Sequence, residues 1–165
     1  MRRFCTPSGH IESARLAHEA VARLPSLAPA QAMVAGILHQ LIDEAGQDYA
    51  LDQVPSPLAI GSFGLLLQHV GCDLPPVLSL TPSGGIWAEW SDAARRNVAI
   101  FVGQDGRARL GAVLMVQESC RLPLLLELDG DIEAILERLR TDRDLGWVRS
   151  PQAQAGIGAG TESGA

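Results

Sequence analysis

The sequence predicts an α+β fold: three or four helices packed on one face of a four- or five-stranded antiparallel meander. Three observations carry that expectation. The apolar period changes from 3.6 residues to 2 at Pro75-Pro76. Two glycine-bearing turns each lie between alternating runs. The 165-residue length leaves room for one sizeable core and no second. A single α+β domain is expected over residues 1–149, followed by a disordered C-terminal tail over 150–165.

The first helix is expected from His10 to Leu24, with Ile11, Ala14, Ala17, Val21 and Leu24 on one stripe. Ser8 would cap it and Pro25 would stop it. The second starts at Pro29 and carries Met33, Val34, Ile37, Leu38, Leu41 and Ile42, with Gly46 as a left-handed C-terminal cap. The third runs from Pro57 to Val70 behind a Ser56 cap and is apolar around much of its circumference. Gly61 and Gly64 fall on one side of it, where another backbone can approach or the helix can kink.

Val77–Leu80 and Ile86–Trp90 flank the connection Thr81-Pro82-Ser83-Gly84-Gly85. Asn97–Val102 and Arg107–Val116 flank Gly103-Gln104-Asp105-Gly106, whose Asp-Gly step tolerates positive φ. Leu122–Leu128 supplies a fifth strand, held at an edge by Pro123. Asp129 or Asp131 then caps a last helix with Ile132, Ile135, Leu136 and Leu139 on its face. Residues 150–165 are Gly, Ala, Gln and Ser with one isolated Ile157, too little apolar surface to offset their ordering entropy.

Alternation sorts the sheet into two faces. Ile86, Ala88, Trp90, Val98, Ile100, Val102, Leu110, Ala112, Leu114 and Val116 form a wholly apolar one, expected to meet the helices. Trp87, Glu89, Ala99, Phe101, Arg107 and Arg109 form the other, which mixes charge with two large rings. A competing expectation covers that second face with the last helix and the segment around Leu145-Gly146-Trp147.

One stretch has a familiar pattern. Asp48-Tyr49-Ala50, Pro55-Ser56-Pro57, a helix, Pro75-Pro76, and then Thr81-Pro82-Ser83-Gly84-Gly85-Ile86-Trp87-Ala88-Glu89-Trp90 follow in order. This resembles small bacterial proteins of uncharacterised function that place a Gly-Gly turn before an apolar-x-Glu-Trp strand. The resemblance covers roughly residues 40–115. It implies a compact α+β domain in a bacterial cytoplasm and assigns no catalytic residue.

Composition excludes several function classes. The chain is 47% apolar and 19% charged, unlike a disordered protein, and no apolar run approaches the ~18 residues of a spanning helix. The net charge is -6, which disfavours broad nucleic-acid binding, because that affinity comes from Lys and Arg neutralising phosphates. Cys5, Cys72 and Cys120 are odd in number and widely spaced, as expected of reduced thiols in cytoplasm. Arg2-Arg3 lacks the apolar stretch of an export signal behind it.

Candidate chemistry is thin. His69-x-x-Cys72 with Cys5 and His10 has workable metal spacing, but His69 near a helix end is accounted for by the dipole. Glu127, Asp129, Asp131 and Glu133 fail the calcium-loop pattern and suit a helix N-terminus. No Gly-x-Ser-x-Gly elbow or phosphate-binding loop exists. The expectation is therefore a non-enzymatic cytoplasmic protein with no catalytic residue, metal or cofactor. It binds a protein partner or itself through the second sheet face, at Trp87, Glu89, Phe101, Arg107 and Arg109. Two alternatives stay open. One is a small-molecule-binding protein or enzyme with a pocket between helices and sheet, polar at His39 or His69. The other is a nucleic-acid-associated regulator.

Overall fold

Two glycines with positive φ set the frame of the sheet. Gly84 (φ 72°) and Gly106 (φ 76°) each close a three-residue hairpin loop with left-handed backbone that a β-carbon resists. In the first, the Gly84 amide bonds the Thr81 carbonyl at 2.8 Å and the Thr81 amide bonds the Gly85 carbonyl at 2.9 Å. The second repeats the scheme: Gly106 to Gly103 at 2.9 Å, and Gly103 to Arg107 at 2.8 Å. Thr81 Oγ1 and Asp105 Oδ1 each accept a further turn amide, from Gly85 and Arg107 respectively.

A computed structural model of the protein describes residues 7–24, 32–47, 54–69, 76–91, 97–114, 124–143 and 145. The expected tail, Cys5, Cys72, Cys120 and Trp147 lie outside these described residues. The elements run α1 (Pro7–Ala22), α2 (Ala32–Gln47), α3 (Pro57–His69), β1 (Val77–Leu80), β2 (Ile86–Ser91), β3 (Asn97–Val102), β4 (Ala108–Leu114), β5 (Leu124–Gly130) and α4 (Ile132–Thr141). The five strands pair in sequence order, β1-β2-β3-β4-β5, and every pairing is antiparallel. The α+β class and the meander are both as the sequence predicts.

Period-two alternation decides which strand residues are buried. Ile86, Ala88, Val98, Ile100, Val102, Leu110 and Ala112 have no exposed surface, and Trp90 is nearly as buried. They join Val34, Leu38 and Ile42 of α2, Ile60, Phe63, Leu66 and Leu67 of α3, and Ala17 and Val21 of α1 in one hydrophobic cluster. Interiors pack close to crystal density, so truncating Trp90 or Phe63 to Ala removes about 3–5 kcal/mol.

Helix ends follow local chemistry in some places and depart from it in others. Ser56 caps α3 as expected, its Oγ accepting the Ala59 amide at 3.0 Å. Asp131 is the N-cap residue of α4, but its side chain makes no capping bond; its backbone carbonyl accepts from Ala134 at 3.0 Å. Glu133 in the first turn and Arg138 and Arg140 in the last complement the helix dipole. Helix α1 already starts at Pro7, so Ser8 lies inside it rather than capping it. Gly46 is likewise helical, because α2 continues to Gln47, and its φ is not positive. Gly61 is exposed, and a β-carbon there meets nothing within 4 Å, so no neighbouring backbone uses the gap.

The β3–β4 turn docks on the start of α3. Gln104 Nε2 donates to the Val54 carbonyl at 2.8 Å, and Gln104 Oε1 accepts the Ser56 amide at 2.6 Å. The Ser56 hydroxyl donates to the Gln104 carbonyl at 2.7 Å. A β-carbon on Gly106 would stand 2.9 Å from Ser62 Oγ and 3.0 Å from Leu58 Cγ. This latch ties the tip of the central hairpin to the helix layer, and it fixes the sheet face that remains.

Candidate functional site

Strand register lays the outer face out in rows. One row crosses all five strands as Ser79, Trp87, Phe101, Arg109 and Asp129. The next is Val77, Glu89, Ala99, Gly111 and Glu127. Directly opposed residues are the unit of side-chain interaction on a sheet. The face expected to bind therefore exists as a contiguous surface, and Trp87, Phe101 and Arg109 share a single row of it.

Each candidate residue has a distinct setting. Trp87 is 38% exposed, although it stands mid-sheet. Phe101 is half-buried, with its ring over the glycines of the two turns. A β-carbon on Gly85 would strike that ring, and one on Gly103 would lie 3.7 Å from Phe101 Cε1. Phe101 thus covers backbone that glycine leaves bare and presents only part of its ring outward. Glu89 accepts a hydrogen bond from the Asn97 amide nitrogen. Arg109 pairs across the strands with Asp129 at 3.1 Å, both side chains more than half exposed. Such exposed pairs are worth about 0.2–1 kcal/mol. Arg107 lies one residue before β4, exposed at the hairpin rim, and its amide is held by Asp105.

Gly111 gives the face its relief. It is in the interior of β4, half-buried, and a β-carbon there meets nothing within 4 Å. With Ala99 directly opposite, two small residues make a low floor beside the taller row of Trp87, Phe101 and Arg109. Glycine inside a strand weakens it and often marks a place where another backbone comes close.

Of the two segments expected to cover this face, the last helix goes elsewhere, and of the other only Leu145 is among the described residues. Ile135 and Leu139 of α4, and Leu145 beyond it, belong to the same cluster as α3 and the inward strand residues. The last helix therefore seals the apolar side of the sheet.

The polar candidates for a helix–sheet pocket are also accounted for. His69 Nδ1 bonds the Leu65 carbonyl at 2.9 Å, one turn back along its own helix. His39 meets His18 of α1, nitrogen to nitrogen, at 2.7 Å. Among the described residues, no group of three or more His, Cys, Asp or Glu is arranged to hold a metal ion. No described helix is long and apolar enough to cross a membrane.

Sequence reading missed several members of the outer face. Asp129 and Glu127 looked like helix-start acids, and only the β5 register puts Asp129 opposite Arg109. The alternation Leu126-Glu127-Leu128-Asp129 carried a signal for their shared face. Val77, 73% exposed on β1, and Gly111 were not singled out either. Comparison of the chain with protein-family models, curated proteins and solved structures gave no match.

Proposed function

We propose that this protein is a non-enzymatic interaction module that docks a protein partner, a second copy of itself first among them, on the outer face of its sheet. The observation that carries this reading is Trp87. A large aromatic stands 38% exposed at mid-sheet, in one row with Arg109, while the last helix packs on the opposite side. Trp and Arg are enriched among residues that dominate interface energetics. The open space above Gly111 gives an approaching chain somewhere to settle.

Charge on the face favours a protein over a nucleic acid. Arg109 is matched by Asp129, and Glu89 and Glu127 add carboxylates to the next row. Such a face offers little to neutralise phosphates. A bacterial cytoplasmic setting fits three widely spaced cysteines, an odd number, and the resemblance of residues 40–115.

Sedimentation equilibrium of the full chain, with and without the double substitution Trp87→Ala and Arg109→Ala, tests the proposal. The wild type is expected to self-associate, and the double variant to remain a monomer with an unchanged circular dichroism spectrum. A wild type that stays monomeric, and captures the same proteins as the double variant, overturns it.

A further inference from the structure

Away from the sheet, the seam between α1 and α2 carries a polar contact that the interaction reading does not use. His18 Nδ1 and His39 Nδ1 are 2.7 Å apart, and His18 Nε2 lies 3.0 Å from Asp43 Oδ1. The two ring planes are inclined by only 22°, with centroids 4.9 Å apart. Rings stacked face to face would keep their atoms near van der Waals separation, about 3.5 Å. A nitrogen pair at 2.7 Å is closer than that, so the rings meet edge to edge in nearly one plane. That is the geometry of an N–H···N hydrogen bond.

Hydrogen-bond accounting then fixes both tautomers. Asp43 is an acceptor, so His18 donates to it from Nε2. A neutral His18 that is protonated at Nε2 keeps a lone pair on Nδ1. His39 must therefore donate from its own Nδ1, which leaves the lone pair of His39 on Nε2. One added proton goes to that Nε2 and leaves the Nδ1 contact intact. A second must occupy His18 Nδ1, and two N–H groups then face each other with no acceptor between them.

We infer that His18, His39 and Asp43 form a proton-operated clasp between α1 and α2, whose His18–His39 bond holds until both imidazoles are protonated and then breaks, leaving the His18–Asp43 pair as the remaining tie. Histidine is the ordinary side chain that changes charge between pH 5 and 8. The other charged groups of the packed elements have their own partners. Glu12 and Glu19 are both engaged by Arg15, with Arg23 at 3.9 Å from Glu19. Glu44 accepts from Gln40, and the one titratable side chain of α3, His69, is on the Leu65 carbonyl. β1 has no titratable group, and the His10 side chain lies outside the described residues. Helix α1 seats Ala17 and Val21 in the core, so loosening the clasp loosens that seat.

Nitrogen-15 NMR of the full chain provides the test. At pH 8 His18 is expected as the Nε2–H tautomer and His39 as the Nδ1–H tautomer. As the pH falls, α1 amides should lose protection about five- to tenfold relative to those of α3, at the pH where both rings are protonated. In His39→Gln this relative loss should disappear. If that variant fails to fold, the wild-type tautomers decide alone. Both imidazoles in the Nε2–H form at pH 8, or α1 protection that ignores double protonation, overturns the inference.

Discussion

Valine at position 111 separates an open outer face from a sealed one. Gly111 lies within β4, is not among the positive-φ glycines, and has nothing within 4 Å of its missing β-carbon. Glycine inside a strand costs about 0.5–1 kcal/mol, and a β-branched residue suits a pleated surface better. Gly111→Val should therefore stabilise the fold by about 1 kcal/mol. With a urea slope of about 2 kcal/mol/M for a chain of this size, the midpoint rises by roughly 0.5 M. In the same variant the isopropyl group fills the floor beside Trp87 and Arg109, and association should weaken. Urea titration followed by circular dichroism, alongside sedimentation of the same samples, reads both effects. A lowered midpoint would refute the reasoning, because it would mean that the chain itself occupies the space above Gly111.

Four other outcomes test the fold. Ser56→Ala, which removes the hydroxyl from the Ala59 amide and the Gln104 carbonyl, and Gln104→Ala, which removes the side chain from the Ser56 amide and the Val54 carbonyl, should each cost about 1–2 kcal/mol. A Gln104→Ala variant with the urea midpoint of the wild type would deny the latch. Gly106→Ala should destabilise by more than about 1 kcal/mol, given its φ of 76° and its contact with α3. Gly61→Ala should stabilise by about 0.5–1 kcal/mol, since that helical site is open, and thermal melts of the pair should move in opposite directions. Finally, the hydrogen bond from Arg15, with its charge, holds the Glu12 carboxyl below the ordinary carboxylate range. A lowered carboxyl stabilises the fold above the unfolded value, and that contribution is lost as pH falls through the folded one. The group is fully exposed, so the acid limb of the melting curve should lose this component in 1 M salt, or on Glu12→Gln.

The sheet was legible because its determinants are local. Gly84 and Gly106 announce their turns through backbone that other residues resist, and Ile86 to Trp90 declares its buried face by alternation. The helices were legible as amphipathic stretches, while their ends were less so. Gly46 is permitted to cap a helix without being compelled to, and α2 simply continues through it. The outer face was half legible. Alternation put Trp87, Phe101 and Arg109 together, but opposing Asp129 to Arg109 requires the register of two strands joined by a longer connection. The Phe101 ring over Gly85 depends likewise on register. The His18–His39 contact joins residues 21 apart and depends on how two helices are rotated against each other, which no periodicity encodes.

The Gln104 latch also bears on how the molecule is made. Ser56, the cap residue ahead of α3, obtains two of its partners from a residue about fifty positions later in the chain. During synthesis the Ser56 amide and the Val54 carbonyl emerge hydrated, and the start of α3 is not anchored to the sheet until the central hairpin has left the ribosome. Ile135 and Leu139 arrive later still. A nascent chain halted before residue 104 should thus remain open to proteases, and maturation should come as one late, concerted step.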